Sequence, residues 1–174
     1  MTTQIPDSCT FDGRKWEIEW WEGNLDCIPS NELLGIVTQS TGSNNWSGRI
    51  DHFLVHRNEL YLFKIEVSLD PTKKTSLPFG ARREIVKRHL AMEHQNANSM
   101  RILGHRLDSE FLVFDDLKIP YTGQLTLRFP YFDEWDIPWP VLDDDIDSTR
   151  EAVLTFEDGR LVDIEERVLD KDER

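Results

Sequence analysis

The side chains best suited to chemistry sit between positions 49 and 66, where Arg49, Asp51, His52, Lys64 and Glu66 interrupt two short apolar runs. A histidine among carboxylates is the raw material of general acid–base catalysis. In an extended strand, however, successive side chains point to opposite faces, so Asp51 and His52 cannot form a side-chain dyad. The charged residues pair differently. If Arg57 and Asn58 form the turn of a hairpin, Arg49 faces Glu66 and Asp51 faces Lys64. Such cross-strand ion pairs contribute roughly 0.2–1 kcal/mol each. Should this face line a cavity, the same four residues become polar anchors for a small ligand.

An aromatic rim is the second part of that expected site. Phe129 to Pro140 carries Tyr131, Trp135 and Trp139 between prolines at 130, 138 and 140. Proline excludes a helix interior or a central strand, so the stretch should run extended over the open end of a sheet.

Metal and cofactor chemistry find little support. His52 and His56 share a face but lie about 13 Å apart along a strand, too far to share one ion. His89 and His94, five apart on a helix, diverge by about 140°. Asp143, Asp144, Asp145 and Asp147 lack the glycine and the distant glutamate of a calcium loop. Neither a G-x-G-x-x-G, a Walker-type lysine nor a G-x-S-x-G is present. No cofactor and no metal site is expected.

The net charge of −13 is unevenly spread, with eight basic and two acidic side chains between 71 and 107 and an acid-rich C-terminal third. A field of that sign repels phosphate, which argues against nucleic acid as a partner. No apolar run reaches the ~18 residues of a membrane span, and the first ten residues carry no secretory signal. A cytoplasmic location follows, with Cys9 and Cys27 as free thiols.

The elements that must position these groups are hairpins. Thr10 to Glu19 and Thr155 to Glu165 each place Asp-Gly-Arg between alternating apolar and polar residues, a strong hairpin signal. The hairpin at 49–69 is apolar on both faces and should be covered on two sides. Near the C-terminus, a three-residue loop with Gly159 at a bulge would put Ala152, Leu154 and Phe156 on one face with Val162 and Ile164. A helical turn is expected at Asn31–Leu34. Ala81, Ile85, Val86, His89, Leu90 and Met92 fall on one face of a helix spanning 79–95. Further strands are expected around 101–105, 110–114 and 124–129.

The expected fold is α+β and mainly antiparallel, a sandwich or partly closed barrel of β-hairpins with one principal helix near 79–95. Residues 1–174 form one domain, with flexible tails at about 1–8 and 170–174. The expected function is non-catalytic: a small ligand held in or on a β-sheet cavity by Arg49, Asp51, Lys64, Glu66, Tyr131, Trp135 and Trp139. The alternative is an acidic interaction module covering a basic protein partner. An enzyme without a recognisable motif ranks last, because no nucleophile–base set survives the geometry. Sequence does not set the oligomeric state.

Overall fold

Three two-residue turns set the architecture. In the computed structural model, which describes residues 6–39, 48–69, 80–89, 106–131 and 149–169, Asp12-Gly13, Arg57-Asn58 and Asp158-Gly159 all have positive φ at both positions. That geometry matches the right-handed twist of the strands it joins. The strands are β1 (Ser8–Phe11), β2 (Arg14–Gly23), β3 (Arg49–His56), β4 (Glu59–Val67), β5 (Arg82–His89), β6 (Arg106–Val113), β7 (Gly123–Phe129), β8 (Arg150–Glu157) and β9 (Arg160–Val168). One short helix, α1 (Asn31–Leu34), lies between β2 and β3.

All nine strands form one sheet in the order β3-β1-β2-β7-β8-β9-β4-β6-β5, and β3 also pairs with β4. Seven strands therefore close into a ring, with β6 and β5 extending from it. The seam between β9 and β4 is a corner: Glu59 pairs with Arg160, Leu60 N–H donates to Gly159 O at 2.9 Å and Leu161 N–H to Asn58 O at 2.8 Å. Every pairing is antiparallel except β1 with β3, where Ser8, Cys9 and Thr10 lie beside His52, Phe53 and Leu54 in parallel.

Inward-facing Trp16, Phe53, Leu62, Tyr121, Leu125, Leu127, Leu154 and Phe156 fill the core. Helix α1 adds Leu34, and Ile36 follows it. Ser30 caps α1 by accepting the Leu33 N–H at 3.1 Å, and Gly35 ends it in the left-handed conformation. On the opposite face of β3, β4 and β6, Ile50, His52 and Phe111 are also buried. This hairpin is covered on both sides, as its two apolar faces predict.

Gly123 shows how tightly one strand pair closes. Its φ is +148°, and a Cβ there would run into the backbone carbonyl of Glu22 and the Tyr121 hydroxyl. Gly123→Ala should cost more than about 2 kcal/mol, from backbone strain plus the clash. Urea unfolding would show it, and a loss below about 0.5 kcal/mol would contradict this packing.

The structure corrects three expectations. Residues 82–89 are not helix but strand β5, paired at eight positions with β6. Ala81 is buried while Ile85 is exposed, so no helical stripe is used. Tertiary pairing outweighs local propensity here. Position 79 and residues 90–95 of that expected helix lie outside the described residues. Second, the register of β3 on β4 follows the turn only from Phe53↔Leu62 to His56↔Glu59, and then a bulge at Phe63 shifts it. Arg49 faces Val67 and Asp51 faces Ile65, so neither expected ion pair exists. Third, the C-terminal hairpin uses a two-residue turn, with its bulge at Val162. Ile164 does share the face of Leu154, opposite which it sits, though it is exposed there; Val162 falls at the bulge and is exposed as well.

Candidate functional site

Deprived of Glu66 and Lys64, Arg49 and Asp51 pair with each other. Two residues apart on one strand, they share a face, the same face as Phe53 in the core. The contact is bidentate: Arg49 Nε donates to Asp51 Oδ1 at 2.6 Å and Nη2 to Oδ2 at 2.8 Å. Their side chains are only 13% and 9% exposed. Arg49 Nη1 also donates to Asn31 Oδ1 of α1 at 3.0 Å, and Asn31 Nδ2 to Thr38 Oγ1 at 3.3 Å.

A second carboxylate completes the cluster. Because β1 runs parallel to β3 with Ser8 beside His52, the residue before β1, Asp7, falls beside Asp51. Its Oδ1 accepts the Asp51 N–H at 2.8 Å. Burial, and then the nearby Asp51 carboxylate, push the Asp7 carboxyl up to about 7, against smaller opposing pulls from the Asp51 N–H and Arg49. When Asp7 is ionised, two carboxylates face one guanidinium and the cluster carries a single negative charge. When Asp7 holds a proton, the cluster is neutral. Asp7, Asn31 and Arg49 each keep part of their surface in solvent.

The other expected anchors lie elsewhere. Ile65 and Val67 enter the core, which turns Lys64 and Glu66 to the opposite face. There Lys64 Nζ sits 4.9 Å from the centroid of the Phe111 ring, and Glu66 faces Ile50. The Tyr131 hydroxyl donates to Pro6 O at 3.3 Å, next in the chain to Asp7, and Lys15 Nζ lies 4.1 Å from its ring centroid. Trp135 and Trp139 lie outside the described residues.

Two further arrangements were not expected. Ser8 Oγ and His52 Nδ1 are 2.6 Å apart, a nucleophile–base contact in form. Both residues are sealed, at 1% and 2% exposure, with Phe63 and Phe111 rings about the imidazole. The contact ties β1 to β3, and no substrate reaches it. On the outer face of β8 and β9, a groove of about 370 Å³ is lined by Glu151, Val153, Glu165, Glu166 and Arg167.

Asp7 was missed because it sits in a stretch that reads as a polar tail, and no local signal announces parallel pairing. Asn31 had only a short helical turn to mark it. Among the described residues, no three His, Cys, Asp or Glu side chains gather where an ion could be held. No helix among them is long and apolar enough to cross a membrane. No family model matches this chain, and neither a curated protein nor a solved structure is significantly similar to it.

Proposed function

We propose that this protein is a non-catalytic binding domain whose ligand, a small polar molecule with a cationic group, docks at the Asp7, Asn31, Arg49 and Asp51 cluster. One observation carries the reading: among the described residues, two carboxylates meet beside one guanidinium on the inner face of the sheet, Asp51 bound to Arg49 and Asp7 to the Asp51 N–H, at a point partly open to solvent. A protonated amine supplies the missing positive charge and can donate to both acids. Binding is favoured over catalysis because Arg49 holds both oxygens of Asp51. Tyr131, Trp135 and Trp139 remain the proposed aromatic rim. Cys9 and Cys27 are free, which fits a reducing compartment, and we place the protein in the cytoplasm.

Thermal unfolding with added ethanolamine, against sodium chloride at equal ionic strength, tests this. Binding to the folded state alone raises the melting temperature. A rise is expected at about pH 8 and should vanish at about pH 5.5, where a proton already occupies Asp7. An equal response to both salts at both pH values would sink the proposal.

The alternative, an acidic surface covering a basic partner, is favoured by the groove on β8 and β9 with its three glutamates. It predicts that Glu165→Lys weakens binding of an arginine-rich peptide at least tenfold, as measured by calorimetry. A peptide that binds the variant as well as the parent would remove that reading.

A further inference from the structure

Strand β9 pairs along one side with β8, and among the described residues its other side meets only β4, at the Arg160 corner. Every residue from Val162 to Val168 is exposed. That includes Val162 at 48%, Ile164 at 47% and Val168 at 62%. An open strand edge that also shows aliphatic side chains is a template for another strand.

We propose that this edge pairs with the same edge of a second copy of the chain, antiparallel about a two-fold axis at Glu166. The side-chain pattern selects the occupant and the register. Across a two-fold antiparallel pair, facing residues lie on the same face of the sheet. Centred on Glu166, the register sets Ile164 opposite Val168 on one face and Glu165 opposite Arg167 on the other, each pair occurring twice. Centring on Ile164 sets Asp163 against Glu165 and Val162 against Glu166. Centring on Glu165 sets Ile164 against Glu166 and Glu165 against itself. Centring on Arg167 sets Glu166 against Val168 and Arg167 against itself. The Glu165 register also brings Val162 to Val168 and Asp163 to Arg167, but over 164–168 the Glu166 register alone sets no apolar residue against a charge. Its one like-charge meeting, Glu166 on the axis, is relieved within each copy by Arg150 Nη1 at 3.1 Å. Arg167 reaches Glu151 through Nε at 2.8 Å, and its planar fork has donors enough to bridge that acid to Glu165 of the second copy.

The test is sedimentation at about 0.15 M salt over roughly 1–200 µM protein, a salt level at which surface charges act within about 8 Å. The wild-type chain should pass from monomer to dimer within that range. Glu165→Arg and Arg167→Glu should each be monomeric alone, since each homodimer would carry two like-charge pairs. Mixed together, they should form a one-to-one heterodimer, because both pairs then become attractive. Circular dichroism confirms that each variant is folded. The proposal is overturned by a wild-type chain that stays monomeric throughout, by a dimer indifferent to both substitutions, or by a mixture that does not associate.

Discussion

Replacing Arg49 with methionine should lower the unfolding free energy by about 3–5 kcal/mol, the usual cost of removing one partner from a buried ion pair. The guanidinium holds both oxygens of Asp51 and reaches Asn31 of α1. Without it, Asp7 and Asp51 remain close together at the core with no cation between them among the described residues. A second variant separates charge from packing. Arg49→Met combined with Asp51→Leu removes the pair together, and should recover most of the loss, because hydrophobic replacement of a buried pair is often near neutral. Urea unfolding of the two variants decides it. If the single variant loses less than about 1 kcal/mol, the cluster is a surface ion pair and the account of its electrostatics fails.

The second large effect is a pH dependence that one atom change should abolish. In the folded chain the Asp7 carboxyl is raised from 3.8 to about 7. Between those values the unfolded chain has lost the proton that the folded chain keeps. Stability therefore falls as pH rises through this window, and the loss is complete above about 7. Linkage sets the upper bound at ~4 kcal/mol, from about 1.4 kcal/mol for each pH unit that separates the two values. Asp7→Asn carries no such charge, and its side-chain oxygen can still accept the Asp51 N–H. The two proteins should be similar near pH 4, and the variant should be the more stable near pH 8. Parallel pH series of denaturant midpoints give the difference directly, with every other titrating group cancelling. A wild-type chain that equals or exceeds Asp7→Asn at pH 8 would contradict the raised carboxyl.

Both effects depend on features of unequal visibility in the chain. The hairpin turns were legible because Asp-Gly and Arg57-Asn58 are local signals between alternating residues. The register of β3 on β4 was legible for the four pairs nearest the turn and failed at Phe63. A bulge changes which residues meet but leaves the apolar pattern almost intact, so pattern alone cannot report it. That one extra residue moved Lys64 and Glu66 away and left Arg49 to pair with Asp51. Strand β5 has a spacing that suits a helix face, while its real partner, β6, lies some twenty-five residues downstream. Asp7 entered the site through the parallel pairing of β1 with β3, a long-range contact without a local mark. Two members of the candidate site were thus visible in sequence, and the geometry that unites them with Asp7 and Asn31 was not.

The central claim is that a carboxyl at this cluster exchanges a proton for a small cation. Carbon-13 NMR titration of the Asp7 carboxyl, with and without ethanolamine, measures that exchange at the atom concerned. The account predicts a midpoint near 7 in the free protein, displaced to lower pH when the amine is present. A midpoint near the ordinary aspartate value, or one that the amine leaves unmoved, would contradict it.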